Sequence, residues 1–246
     1  MYIVGRTTAI DKRPQKGTRV RIGIIGSGNM GGALGLLWAA AGHTVTFSYS
    51  RDPAKLERLA RVAGHGARRG SPADAAESAD VVLLATHFNR VDDAVAQAGA
   101  ALAGRVLVDC TNPMTEDDSG LAIGLTTSGG EEVARRAPGA RVVKAFNTIP
   151  SELLASPSRR FRVAGSGAGG APITPTLFYC GDDALAKRTV VPLIRDAGLE
   201  PADAGPLSAA RYLEPLAMLV GYFAYEVQST PEVAVTLLRR AAGRGW

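Results

Sequence analysis

Residues 22–35, "IGIIGSGNMGGALG", decide how this chain is read. An apolar, β-branched run enters Gly26-Ser27-Gly28-Asn29-Met30-Gly31, and small residues in a helix-like pattern follow. A G-x-G-x-x-G spacing carries weight where a strand precedes it and a helix follows, which is the context found here. Gly26 permits a tight turn, Gly28 lets backbone approach a pyrophosphate, and Gly31 lets helix and strand pack closely. The unpaired N–H groups at the helix start then face an anion. The stretch predicts a dinucleotide-binding turn, with Gly26, Ser27, Gly28, Asn29, Met30 and Gly31 as cofactor-binding candidates.

Outward from this turn, short β-branched runs alternate with longer helical ones, the pattern of an α/β protein with a parallel sheet. Strands are expected over 21–25, 45–49, near Ala67, and over 81–85, 106–110 and 141–147. Helices are expected over 31–41, 53–62, 72–78, 91–102 and 130–136. Asp52-Pro53 reads as a helix cap followed by a first-turn proline. Beyond Pro150 the Gly-, Pro-, Ser- and Arg-rich stretch 156–175 reads as a long loop. A further βαβ-like unit follows over 176–180, 183–197 and 200–204, where Pro192 predicts a kink or a late helix start. Helices over 208–228 and 231–242 are expected last. The expected fold is a Rossmann-type, doubly wound, mostly parallel sheet with a smaller C-terminal α/β-helical portion. Its parts are an N-terminal extension (1–19), a dinucleotide-binding domain (20–150) and a smaller C-terminal domain (151–246) completing the acceptor pocket.

The end of the second strand distinguishes two cofactors. An NAD site keeps Asp or Glu there for the ribose hydroxyls. This chain reads "VTFSYSRDPAK", which delivers Ser50 and Arg51, with Lys55 one helical turn on. A hydroxyl and two cations suit a 2′-phosphate that a carboxylate would repel, and Asp52 suits a helix cap. The expectation is NADP(H), bound in part by Ser50, Arg51 and Lys55.

Composition bounds the alternatives. The 246 residues are 46% hydrophobic and 21% charged, as in an ordinary globular protein. No apolar run reaches membrane-spanning length, and the basic opening "MYIVGRTTAIDKRPQKGTRVR" has no apolar core of a secretory signal. Two cysteines, Cys110 and Cys180, read as buried fillers in a reducing cytoplasm. Three scattered histidines and no Cys/His ligand spacing argue against a metal site. The net charge of +5 comes from Lys and Arg interspersed with acids, which suits an anionic cofactor better than nucleic acid. His43 reads as a turn residue and His65 as loop.

Together "IGIIGSGNMGGALG…AAAGHTVTFSYSR…K", "VLVDCTNP", "GARVVKAFNTI", "LFYCGDD" and "DAGPLSAARYLEPLAML" resemble the NADPH-dependent coenzyme F420 reductases. Their broader group includes the STEAP metalloreductases. The resemblance implies hydride transfer between NADP(H) and a second ring, coenzyme F420 or a flavin, in a homodimer. Its cofactor positions fall on Ser27, Asn29, Met30, Ser50, Arg51 and Lys55. Since ligands of such folds lie over the carboxyl ends of the strands, Thr86 and His87, Asn112 and Pro113, and Asn147 and Thr148 fall near the nicotinamide half. His87 is the one candidate for chemistry, as a group that protonates or orients the acceptor, or else only lines the rim. Leu213, Glu214 and Pro215 would help to close the acceptor pocket. No nucleophile–base pair is needed if two rings are simply held face to face. A reductase of a small imine, keto or enamine metabolite, or a non-catalytic NADPH-binding protein, would share the same glycine turn.

Overall fold

The computed structural model describes residues 19–156, 161 and 173–238. Strands β1 (Arg21–Ile25), β2 (Thr44–Ser48), β3 (Arg68–Arg69), β4 (Val81–Leu84), β5 (Val106–Asp109) and β6 (Arg141–Lys144) are parallel. β7 (Thr176–Gly181) joins β6 antiparallel, and β8 (Glu200–Asp203) runs parallel to β7. The eight form one sheet in the order β3-β2-β1-β4-β5-β6-β7-β8. The chain leaves β1 toward β2 and β3, then returns to β4 on the other side. That reversal opens a crevice above the carboxyl ends of β1 and β4.

Helices cover both faces, so the central strands are mainly apolar on both faces rather than alternating. Ile22, Ile24, Val81, Leu83 and Val143 enter one core with α1 (Asn29–Ala40), α2 (Pro53–Ala63), α6 (Ser151–Ala155) and α7 (Ala184–Asp196). Ile25, Val82, Leu84, Leu107 and Val142 enter the other with α3 (Pro72–Glu77), α4 (Val91–Ala98), α5 (Gly129–Arg136) and α8 (Ala210–Gly221). The doubly wound sheet expected from the sequence is therefore the observed architecture. Buried Trp38 fastens α1 to α7 by donating from Nε1 to the Leu193 carbonyl at 2.9 Å, and it meets Phe146 edge-on at 5.7 Å between ring centres.

The β6–β7 joint pairs only Val143 with Gly181 and Lys144 with Cys180. Residues 176–179 therefore overhang the end of β6 by about 13 Å at the usual rise per residue. β8 pairs with that overhanging part.

Several expected elements differ. The strand expected to reach Asn147 stops at Lys144, because Phe146 takes a left-handed φ of 66°. The helix expected over 91–102 breaks at Gly99, φ 57°, and ends as a 3₁₀ turn, Gly99–Leu102. α7 starts on time at Asp183, whose side chain caps it, and runs through Pro192. The helix expected over 208–228 is a 3₁₀ turn (Leu207–Ala209), α8, and a π-helical turn (Tyr222–Val227). The expected helix 231–242 is not formed over 231–238, which has no regular secondary structure. Val235 O accepts from Thr176 N at 2.9 Å, and Leu237 N donates to Thr176 Oγ1 at 2.9 Å. The overhanging start of β7 lacks a β6 partner, and this segment supplies one. The expected extension 1–19, apart from Arg19, lies outside the described residues, as does most of the expected loop 156–175.

His43 is not a simple turn residue. It is buried, accepts from Val20 N at Nδ1 (3.1 Å), and so carries its proton on Nε2, 3.0 Å from Asp196 Oδ2. It ties the α1–β2 turn to the end of α7. Both cysteines are free and buried.

Candidate active site

The glycine turn is built by close approach. Gly26 has φ 106°, and a Cβ there would lie 2.4 Å from Ala85 O. A Cβ on Gly31 would lie 2.0 Å from Gly26 O, so α1 can begin hard against the turn only without a side chain. Gly28 differs, because a Cβ there meets nothing within 4 Å. It stands at the N-cap of α1, exposed, with no side-chain cap and no acidic residue in the first turn. The helix thus presents uncapped N–H groups to open space, the arrangement that receives an anion. Asn29 is exposed and Met30 half-buried at this start. Ser27 is buried, and its hydroxyl donates to Ser48 O at 2.9 Å, fixing the turn on β2.

At the end of β2, Tyr49 adopts φ 55°, and its hydroxyl donates to Asp93 at 2.6 Å. This turns the chain so that Ser50 and Arg51 follow at the surface. Ser50 Oγ accepts from Asp52 N at 3.1 Å and lies 3.1 Å from Asp52 O. Asp52 caps α2 by accepting from Ala54 N at 2.9 Å, and its other oxygen pairs with Arg58 at 2.9 Å. The hydrogen bond from Arg58 is the first reason its carboxyl titrates below the ordinary value. No ion pair among the described residues engages Arg51 or Lys55. Asp52 is already paired with Arg58, whereas Arg51 and Lys55 have no carboxylate partner among the described residues.

The remaining candidates directly follow the carboxyl ends of β4, β5 and β6. Thr86 is half-buried and its Oγ1 has no partner. His87 is exposed, and its carbonyl accepts from Arg90 N as a 3₁₀ turn, Phe88–Arg90, begins. No hydrogen bond among the described residues engages its ring. Asn112 Nδ2 donates to Asn147 O at 3.2 Å, and Asn147 Nδ2 donates to Asn112 Oδ1 (3.1 Å) and Leu213 O (3.2 Å). Asn147 therefore spends its amide protons on neighbours, while buried Oδ1 has no donor. Thr148 Oγ1 is a third buried, unpartnered polar atom on this edge. Such orphans are uncommon in native structures and call for a ligand or water. Pro113 is buried beside Gly129.

Sequence reasoning missed one constellation. Lys144 and Asp109 are register partners at the ends of β6 and β5, and both are fully buried. Lys144 Nζ lies 2.9 Å from Asp109 Oδ2, 2.8 Å from Glu214 Oε1 and 2.6 Å from Thr111 O. Burial opposes the charge on Lys144, but the two carboxylates outweigh it, and its pKa lies above the ordinary lysine value. Glu214, expected at the acceptor pocket, is instead a buried partner of Lys144. It also accepts from Gly129 N at 2.9 Å and Gly130 N at 3.0 Å, capping α5 from a distance. The one trace in the sequence is that Asp109 and Lys144 each close an apolar strand; their burial and the third partner, Glu214, appear only in the fold.

Comparison with known proteins agrees with this architecture. The family model described as NADP oxidoreductase, coenzyme F420-dependent, matches residues 21–113, from the first strand through Pro113. A structure from Arthrobacter sp. FB24, assigned as an F420-dependent NADP reductase, superposes with a TM-score of 0.76 at 28% identity, over 89% of this chain and 100% of that one. Residues 21–113 of this chain thus resemble the coenzyme F420-dependent NADP oxidoreductases. A second relative of known structure, hypothetical protein SMa0349 of Sinorhizobium meliloti, is 32% identical, with a TM-score of 0.62 over 77% of this chain and 87% of that one. Metalloreductase STEAP3 of Rattus norvegicus is 30% identical over 201 residues, covering 81% of this chain but 37% of that protein. The chain thus spans just over a third of the curated relatives it matches.

No helix among the described residues is long and apolar enough to cross a membrane. None of their His, Cys, Asp and Glu side chains form a group of three or more suited to a metal ion.

Proposed function

We propose that this chain binds NADPH along the carboxyl edge of its sheet and passes hydride directly to the ring of coenzyme F420 or a flavin. The observation that carries the cofactor reading is the pair of unengaged cations, Arg51 and Lys55, beside a carboxylate already held by Ala54 and Arg58. With Ser50 they would hold the 2′-phosphate, where NADH has nothing to offer them. Gly26, Ser27, Gly28, Asn29, Met30 and Gly31 would form the pyrophosphate turn, with open space at Gly28 for the anion. Thr86, His87, Asn112, Pro113 and Asn147 would line the nicotinamide half. The unpartnered oxygens of Thr86, Asn147 and Thr148 suit a carboxamide, which both donates and accepts.

When bound, NADPH supplies a hydride at its nicotinamide ring. The residues beneath position that ring and exclude water. His87, exposed and free of side-chain partners, would sit at the rim. The overhanging start of β7 and the first turn of α8 would close the acceptor side. The assignment of the Arthrobacter protein supports F420 as first acceptor, with FMN, FAD and riboflavin next. Exposed Tyr212, Leu219, Tyr222, Phe223 and Tyr225 on α8 and its π-helical continuation support a homodimer, which light scattering would test. Two free, buried thiols suit a reducing compartment such as the cytoplasm.

The deciding experiment follows NADPH and NADH oxidation at 340 nm, the usual absorbance of the reduced ring, against each acceptor and against a panel of imines and ketones. NADPH-dependent reduction of F420 or a flavin is expected. Equal use of NADH would overturn the cofactor assignment, and activity only on the panel would overturn the acceptor assignment.

A further inference from the structure

Asp109, Lys144 and Glu214 form a buried charge network that the proposed chemistry does not use. Such a network is poor evidence for stability by itself. Replacing buried ion pairs with apolar groups is often neutral or favourable, so what they fix in space matters more. Here each Lys144 contact comes from a different place: Asp109 on β5, the Thr111 carbonyl beyond it, and Glu214 on α8.

Two consequences follow from those contacts. Thr111 is held at all its polar groups, because Asp109 Oδ1 accepts from its N–H (2.9 Å) and its hydroxyl (2.7 Å) while Lys144 holds its carbonyl. Thr111 immediately precedes Asn112. On the other side, Glu214 is fixed by Lys144 and by the two N–H groups opening α5. The residue before it, Leu213, gives its carbonyl to Asn147. The mutually bonded Asn112 and Asn147 are therefore gripped from both ends. The second carboxylate, unmatched by a lysine, is compensated by the N-terminus of α5.

From this geometry we infer that Lys144 is a positioning residue for hydride transfer. By fixing Thr111 and Glu214 together, it holds the Asn112–Asn147 pair in the one arrangement that leaves Asn147 Oδ1 facing the reacting half of the dinucleotide. The inference rests on the reading of the site given above. Lys144 touches neither ring; it acts through the two asparagines.

The test compares two ligands that share the adenine half. Adenosine 2′,5′-bisphosphate reports the adenine half, Arg51 and Lys55 with the glycine turn, whereas NADPH also reports the nicotinamide half. The full-length triple variant Asp109→Asn, Lys144→Met, Glu214→Gln removes every charge of the network and leaves none unpaired. Calorimetry should show unchanged affinity for the bisphosphate and an NADPH affinity reduced about tenfold, the worth of one hydrogen bond. A purely structural role would move the melting temperature without separating the two ligands. Equal loss for both ligands, or loss for neither, would overturn the inference. Should the triple variant fail to fold, Glu214→Gln alone decides, since it keeps the Lys144–Asp109 pair. A selective NADPH loss is expected, and an unchanged ratio of affinities would refute it. Wild-type protein that binds the bisphosphate no more weakly than NADPH would overturn this inference, whereas wild type that binds neither would refute the proposed function.

Discussion

Arg51 is where the cofactor preference is most exposed to test. It is solvated and forms no ion pair among the described residues, so Arg51→Asp should leave the melting temperature unchanged. It should lower the ratio of kcat/KM for NADPH over NADH by about 10- to 100-fold, the range for a charge-assisted hydrogen bond. An unaltered ratio would remove Arg51 from the site. The glycines separate structural from ligand roles. Gly31→Ala drives a Cβ against Gly26 O and should destabilise the fold outright, whereas Gly28→Ala meets no protein atom. The second variant should melt like wild type yet bind NADPH more weakly, because only a bound pyrophosphate would feel the added methyl. Full binding by Gly28→Ala, measured by fluorescence titration, would place the phosphates elsewhere.

Between elements, Trp38 joins α1 and α7 and supports Phe146, whose left-handed backbone ends β6 just before Asn147. Trp38→Phe removes one of the two donors to the Leu193 carbonyl, which keeps the Ala197 N–H at 3.1 Å, at a cost of about 0.5–1.5 kcal/mol. Thermal unfolding should register that loss; an unchanged melting temperature would mean that the contact contributes nothing. The same elements show what a sequence reveals. β1 was readable at its observed limits, because a strand covered on both faces is apolar at every position. The glycine turn was readable because glycine spacing records backbone approach directly. β6 was extended too far, since apolar character does not reveal that Phe146 turns left-handed. Residues 231–238 misled for a related reason: Pro231 suggests a helix start, while Val233, Val235 and Leu237 alternate as a strand does. Only the unpaired start of β7 decides between them. Lys144 and Glu214 were hidden because a lone charge in a sequence reads as solvated until its partners from distant segments are seen.

Across the whole molecule, paired carboxylates set the response to acid. Asp80 is held below its ordinary 3.8 first by hydrogen bonds from Arg21, and Glu131 below its ordinary 4.5 first by those from Arg211. Groups depressed in this way contribute stability above their unfolded-state values and lose it as pH falls through their folded-state values. Urea unfolding should therefore give a flat midpoint above about pH 5 that declines below about pH 4. Arg21→Met should shallow the decline, and an equal slope in the variant would exclude this pair as a source. The joint between β6 and β7 bears on a different property. Six parallel strands share continuous ladders, but β7, α7, β8 and α8 attach to them through two residue pairs, supplemented by side-chain contacts such as Trp38 and Lys144. Such a seam divides a sheet into units that open separately. Amide hydrogens of β7 and β8 should exchange with deuterium together, and earlier than those of β1 and β4, so that this edge of the sheet breathes while its centre stays closed.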